Sequence, residues 1–212
     1  MGGRGSSSFS GGASSGVSKE KIVATRSLIS EREGSQQLVD ETMDVFMAVN
    51  AEYGSVVADI QLATLGKGSR AMAYYDSDDN IAINEKYFNS AKMDAAYKID
   101  VASGFHPSNG NKTALQAVVA HELGHKLTAD IATKLSGQGF MGIDSASTNI
   151  LKEALGKTKH KNIGTMKAKI SGYATSSNAE AIAEAFSDVF CNGSKAAAES
   201  RAIVSVIDKY LK

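Results

Sequence analysis

Apolar positions recur at helical spacing over much of this chain. In residues 36–53, Val39, Met43, Phe46 and Met47 are spaced so that one face of a helix would be apolar. The same pattern predicts helices over residues 18–33, over 145–155 with an end at Gly156, and over 194–212. In the last of these, the inner face would carry Ile203, Ile207 and either Tyr210 or Leu211.

A different pattern, short apolar runs separated by turn residues, occupies the chain between residues 56 and 84. It predicts strands over 56–63, 71–75 and 81–84, with a turn over 76–80. The turn is acidic, but it lacks the ligand spacing and the terminal glutamate of an EF-hand, which favours a plain hairpin turn over a calcium loop. Residues 85–111 have no clear period and could form a helix or an ordered loop. These elements together predict an α+β fold, mostly helical, with a small twisted sheet.

A further helix is predicted to begin at Thr113, because Thr113 and Gln116 form a capping box ahead of an apolar run. This helix carries the pentapeptide His-Glu-Leu-Gly-His at residues 121–125. Residues four apart share a helical face, so His121 and His125 should point the same way and could hold one zinc ion. Glu122, beside them, could act as a general base.

This pentapeptide is rarely expected by chance in a chain of this composition. The sequence has 4 histidines, for which the expected number of chance HExxH matches is roughly 0.004. The alternative is an ordinary buried helix that carries two histidines. It is disfavoured because buried imidazoles and carboxylates require a partner or a metal.

A catalytic zinc needs a third protein ligand and one open position. The downstream candidates are His160, Asp144, Glu153, Glu180, Glu184 and Asp188. Two of them, Glu180 and Glu184, lie on a predicted helix that starts at Ser177 or Asn178 and ends near Gly193. They share a face with Ala183 and Ser187, whose small side chains would allow close packing against a second helix. Two ordinary interpretations remain open: Ser177 and Glu180 could form a capping box, and Glu184 could face solvent.

The motifs at residues 113–126 and 171–190 resemble the gluzincin class of zinc metallopeptidases. The closest similarity is to catalytic domains of the anthrax lethal factor type and to phage-encoded and bacterial metallopeptidase domains. Two sequence features carry it: HELGH and, downstream, Tyr-x6-Glu-x3-Glu-Ala-Phe. The matching positions are His121, Glu122, His125, Tyr173, Asn178, Glu180, Ala183, Glu184, Ala185 and Phe186. The long stretch between the two blocks is not matched.

The resemblance implies a zincin-like metallopeptidase domain over residues 18–212 that binds one Zn²⁺ per chain. It makes His121, His125 and Glu180 the zinc ligands, and it implies that Tyr173 supports the oxyanion. Glu184 would not bind the metal itself but would hydrogen-bond a zinc-binding histidine and fix its orientation. Zincin clefts run beside an edge strand to which a peptide substrate can add, and the resemblance makes Ile81, Ala82, Ile83 and Asn84 the candidate for that strand. The implied function is a zinc-dependent endopeptidase.

Two other loop and core residues with reactive side chains have simpler interpretations. His106 stands in a loop ahead of the motif helix, where a structural or substrate-facing role is favoured over metal binding. Cys191 follows two core residues and is expected to be buried rather than reactive.

Composition excludes several other function classes. The 212 residues have a net charge of zero, and neither a basic stripe nor an apolar run of membrane-spanning length argues for nucleic acid or membrane partners. The partner is expected to be a protein or peptide substrate. Residues 1–17 are rich in glycine and serine and are expected to be a flexible tail. No secretory signal is evident there, so a cytoplasmic or phage- or virion-associated location is expected.

Two non-catalytic classes also stay open. One is a catalytically silent zinc-binding structural or assembly protein, possible for a phage-related chain. The other is a helical interaction protein without metal.

Overall fold

The computed structural model describes residues 36–55, 57, 59–65 and 69–212. The predicted tail over 1–17 and the predicted helix over 18–33 lie outside the described residues, so both stay predictions. The described elements are helices α1 (Gln36–Tyr53), α2 (Ser90–Ala102), α3 (Ala114–Ser136), α4 (Ile143–Leu155), α5 (Ile163–Lys167), α6 (Asn178–Asn192) and α7 (Ala198–Leu211), and strands β1 (Asp59–Ala63), β2 (Ala73–Tyr75) and β3 (Asn80–Asn84). This arrangement confirms a mostly helical α+β fold with a small sheet.

Helix α3 is the centre of the fold. Its predicted capping box is confirmed: the Gln116 backbone N–H donates to Thr113 Oγ1 at 3.2 Å, and the Gln116 side chain accepts from the Thr113 backbone at 3.1 Å. The helix ends at Gly137, whose φ of 72° is left-handed. Most of α3 is buried because α1, α2, α4, α6 and α7 pack around it. The motif HELGH therefore lies in the interior of the fold.

Helices α3 and α6 approach each other closely at Gly124. A Cβ placed on Gly124 would lie 2.8 Å from the Cα of Ala183 and 3.2 Å from the Cβ of Phe186. Only glycine fits this contact. The small residue within the HELGH motif therefore lets the backbone of α6 come near enough for its side chains to reach His121 and His125.

The three strands form one sheet in the order β1-β3-β2. Strand β3 pairs with β1 in parallel and with β2 in antiparallel, with Tyr74 opposite Ala82. The interpretation of Ile81, Ala82, Ile83 and Asn84 as an edge strand is therefore wrong, because β3 is central. The apolar run Ile81–Ile83 is buried without alternation, which is typical of a strand covered on both faces.

Strand β2 is the sheet edge that lies beside α3. Two ladder bonds fix its orientation: the Asn84 N–H donates to Met72 O at 2.9 Å, and the Asp76 N–H donates to Asn80 O at 3.0 Å. Backbone groups alternate sides along an antiparallel strand. The backbone groups of Ala73 and Tyr75 are therefore directed away from β3.

Several predicted boundaries shift by a few residues. Strand β1 is described from Asp59, strand β2 is limited to residues 73–75, and α4 begins at 143. The final helix begins at Ala198 after a short 3-10 turn at Gly193–Lys195. The ambiguous stretch resolves into α2, which Asn89 caps by accepting from Lys92 N and which buries Met93 and Tyr97. The short helix α5 was not predicted.

Candidate metal centre

The two histidines of HELGH lie on one face of α3, one turn apart. Both are buried, and their ring centroids are 5.0 Å apart at an interplanar angle of 78°. The spacing of four residues brings their side chains together, as the sequence indicates.

Glu180 on α6 completes a three-residue group. Its Oε2 lies 3.0 Å from His121 Nε2 and 3.4 Å from His125 Nε2. One ligand atom from each of the three residues lies within 4.8 Å of the others, and all three residues are buried. This group could hold a metal ion, because two imidazole nitrogens and a carboxylate oxygen converge where water is largely excluded.

The start of α6 directs Glu180 toward the histidines. Ser177 is the N-cap, and its Oγ accepts a hydrogen bond from the Glu180 backbone N–H at 3.0 Å. The Glu180 carboxylate itself lies at His121 and His125. Burial favours a higher pKa for this carboxyl, but the two histidines outweigh burial and lower the pKa of Glu180 well below its usual value.

Glu184, one turn further along α6, lies behind His121. Its Oε1 is 2.8 Å from His121 Nδ1, and its Oε2 accepts a hydrogen bond from Ser171 Oγ at 2.7 Å. A carboxylate bonded to Nδ1 fixes the orientation of the imidazole and leaves Nε2 available to a metal.

Glu184 also binds a second histidine, His106. His106 Nδ1 lies 2.9 Å from the same Oε1 atom. Burial acts to raise the pKa of Glu184, but His106 and His121 overcome it and lower the pKa to about 2. The carboxylate is therefore ionised and accepts from both imidazoles.

The sequence favours a structural or substrate-facing role for His106, and the residue lies in the wall of the cleft rather than in the three-residue group. Its ring stacks on Tyr97 with centroids 5.3 Å apart and an interplanar angle of 2°. The loop that carries it is held by backbone bonds from Gly172 N to Gly104 O at 2.8 Å and from Tyr173 N to Phe105 O at 2.9 Å. No local sequence signal predicts the contact of His106 with Glu184, because 78 residues separate the two in the chain.

Tyr173 lies over His121 at the site. Its ring stacks on His121 with centroids 5.8 Å apart and an interplanar angle of 17°. Burial raises the pKa of Tyr173, and the carboxylates of Glu180, Glu122 and Glu184 raise it further. The phenol therefore keeps its proton at neutral pH and can donate a hydrogen bond.

Glu122 faces the same cleft from α3. Burial raises its pKa, while His121, His125 and the backbone of Tyr75 act in the opposite direction. A buried carboxylate next to imidazoles, with open space beside it, is chemically suited to accept a proton.

The remaining candidate ligands lie outside this group. Asp144 is exposed in the first turn of α4. Glu153 bonds Lys209 at 2.8 Å, and His160 bonds Glu199 at 2.6 Å. Asp188 accepts from the Ala197 N–H at 2.9 Å. Among the described residues, His121, His125 and Glu180 alone converge in this way.

A cleft opens onto these side chains. Residues 71–74, which include the start of β2, form one wall of the cleft, and α3 forms its floor. The lining residues are Ala71, Met72, Ala73, Tyr74, Tyr97, His106, Ala117, Val118, His121, Glu122, His125, Tyr173, Glu180, Glu184 and Ser187. The cleft thus combines the three side chains that could hold a metal ion with a second buried carboxylate, a phenol and a strand edge.

No protein-family model, curated protein or solved structure matches this chain. The resemblance to gluzincin peptidases therefore rests on the two short motif blocks. Within the part of the chain that the structure describes, no helix is both long enough and apolar enough to cross a membrane.

Proposed function

We propose that this chain is a zinc-dependent endopeptidase. The observation that carries the proposal is the convergence, in one cleft, of the group His121, His125 and Glu180 with the side chains of Glu122 and Tyr173. A purely structural metal site has no use for an additional buried carboxylate and a phenol in the lining of the cleft. The motif resemblance to gluzincin peptidases agrees with this reading.

The residues present fit a zinc ion. Zinc in catalytic sites takes three protein ligands from histidine and carboxylate side chains and keeps one position open. The bond from Glu184 to His121 Nδ1 is the kind of outer support that metal-binding histidines require. His121 and His125 would bind through Nε2, and Glu180 through its carboxylate.

Each remaining group has a distinct role in peptide hydrolysis. A zinc ion held by His121, His125 and Glu180 would act as a Lewis acid and would make water nucleophilic at neutral pH. Glu122 takes a proton from the attacking water and passes it to the leaving amine. Tyr173 donates a hydrogen bond to the oxygen of the scissile carbonyl as charge develops on it. No covalent intermediate with the chain is needed.

The substrate would bind as an extended peptide along β2. In the described residues β2 pairs with β3 on one side only, and the Ala73 backbone groups and the Tyr75 carbonyl are directed to the other side. The Tyr75 N–H on that side donates to Glu122. An extended peptide can add to such an edge through main-chain hydrogen bonds. The proposed substrate strand is therefore β2, in place of Ile81–Asn84.

The test combines metal analysis with a peptide-library assay on wild type and on Glu122→Gln. We expect one zinc per chain in both proteins and a loss of hydrolysis in the variant of roughly 10²- to 10⁴-fold, since only the proton-transfer group is removed. Tyr173→Phe is the matched second variant, because it removes one hydroxyl and keeps the ring stacked on His121. A wild-type chain that binds zinc but cleaves no member of the library would instead be a catalytically silent metal-binding protein.

A further inference from the structure

A partly buried ion-pair network joins the turn between β2 and β3 to the helix that carries the proposed metal ligands. The Asp79 carboxylate Oδ1 accepts from the Tyr75 hydroxyl at 2.5 Å and lies 3.0 Å from Lys126 Nζ. Asp79 has a φ of 67° and is the non-glycine residue with positive φ among the described residues. Aspartate tolerates this conformation better than most residues, yet it is still uncommon and needs support from its surroundings.

Lys126 directly follows the metal-binding His125 on α3. It is buried, at 9% exposure, and its second partner is Asp130, whose Oδ1 lies 2.8 Å from Nζ. Asp130 in turn accepts from Ser55 Oγ at 2.5 Å. A lysine buried between two carboxylates is held much more firmly than one in an exposed pair, because little water competes for it.

Strand β2 is short and is held at both ends. At one end the Asn84 side chain donates to Ala71 O at 2.8 Å, which ties the start of the strand to β3. At the other end lies the turn that Asp79 links to Lys126. Because β2 has only three residues, these two attachments contribute to its position over α3, together with its pairing with β3 and the bond between the Tyr75 backbone and Glu122.

We propose that Lys126 is a positioning residue: through Asp79 it fixes the height of the edge strand β2 above the metal-binding helix, and so sets where a bound peptide meets the metal centre. This inference rests on the proposed peptidase function and adds a residue to it. Lys126 is not in the lining of the cleft, and it acts through the hairpin.

The geometric demand on the strand explains why such a link matters. A peptide added to β2 takes its register and height from the strand, so its scissile carbonyl moves with β2. A misplacement of about 1 Å at a reacting centre can cost on the order of 100-fold in rate. The Lys126–Asp79 link begins at the residue after His125, a proposed metal ligand. It therefore holds the strand that would bind the peptide at a fixed position relative to the helix that would bind the metal.

The test compares Asp79→Asn with the control Asp130→Asn. Both remove one carboxylate charge from the same lysine, but only the first cuts the link to the hairpin. Asparagine also tolerates positive φ, so the turn conformation is preserved. Lys126→Met tests the link from the other side, and the double variant Asp79→Asn/Lys126→Met completes the cycle.

The expected result has two parts. Asp79→Asn and Lys126→Met should lower kcat for a library-derived peptide by about 10- to 100-fold, with a smaller change in KM and with zinc stoichiometry unchanged, while Asp130→Asn stays near wild type. The effects of the two link variants should not add, since each breaks the same connection. In hydrogen exchange, the amides of Asp76 and Asn84 should exchange faster in both link variants than in Asp130→Asn.

Equal behaviour of Asp79→Asn and Asp130→Asn in both measurements would overturn the inference. If Lys126→Met does not fold, the Asp79 and Asp130 pair still decides it. If wild type cleaves no peptide, the peptidase proposal fails on its own. The Lys126–Asp79 link would be refuted separately if Asp79→Asn left amide hydrogen exchange in the hairpin unchanged.

Discussion

Gly124→Ala gives a sharp test of how the metal centre is assembled. The new methyl group would lie 2.8 Å from the Cα of Ala183, whereas ordinary contact begins at 3.4 Å, so the α6 backbone must move by about 0.6 Å. The obstructing atom is backbone, and a side-chain rotation cannot relieve it. Helix α6 carries Glu180, so the shift separates this carboxylate from His121 and His125.

The free-energy terms of this change have opposite signs. Replacing a helical glycine by alanine stabilises a helix by about 1 kcal/mol, while overpacking a core costs about 1–3 kcal/mol. The free energy of unfolding of the metal-free chain should therefore fall by roughly 0–2 kcal/mol. Metal–ligand distances, in contrast, tolerate only about 0.2 Å of error. Metal affinity should fall by at least about 10-fold, the effect of disturbing the support of a metal ligand.

The assay is zinc titration against a competing chelator, with denaturant unfolding measured in excess chelator. Gly156→Ala is the control, because Gly156 has an ordinary φ of −62° and its new Cβ would come no nearer than 3.3 Å to a neighbouring atom. If Gly124→Ala bound zinc as tightly as wild type, the close contact between α3 and α6 would not be what brings Glu180 to the histidines.

Three further outcomes are expected. Glu180→Ala and His125→Ala should each remove most bound zinc, since two remaining ligands rarely hold it. Glu184→Ala should weaken zinc binding only by about 10- to 100-fold, because it removes a hydrogen bond to a ligand and not a ligand itself. Equal losses of zinc in the three variants on metal analysis would contradict these separate roles. Burial raises the pKa of Cys191 to about 12, so iodoacetamide should label the native chain slowly at pH 8 and the denatured chain quickly; fast native labelling would show that the thiol is exposed. Chelator should abolish peptide cleavage and added zinc restore it, and activity that survives full metal removal would contradict the proposed mechanism.

The parts of the fold that were predictable are those fixed by local pattern. The start of α3 at Thr113 and the shared face of His121 and His125 depend on residues three or four apart. The assignment of the sheet edge failed, because strand order depends on which distant segments pair. Residues 81–83 form a continuous apolar run in the sequence. Such a run favours a strand that is covered on both faces, as a central strand is.

The contact of His106 with Glu184 could not be predicted from the sequence for a similar reason. Its partner Glu184 lies 78 positions away, and nothing in the neighbouring residues distinguishes it from an ordinary loop histidine. The Lys126–Asp79 pair also joins two elements that no local pattern relates. Such contacts form only when the surrounding helices have packed.

The start of α6 illustrates how tertiary packing selects between two local interpretations. Ser177 and Glu180 have capping-box spacing, and Ser177 does accept from the Glu180 N–H. The carboxylate, however, lies at two buried imidazoles, where it forms charge-assisted contacts that are stronger than a bond to one backbone N–H. This choice requires α3 within reach, and Gly124 against Ala183 provides that approach. The sequence therefore contained both halves of the arrangement, the small residues and the carboxylate, but their relation follows only from the packing of the two helices.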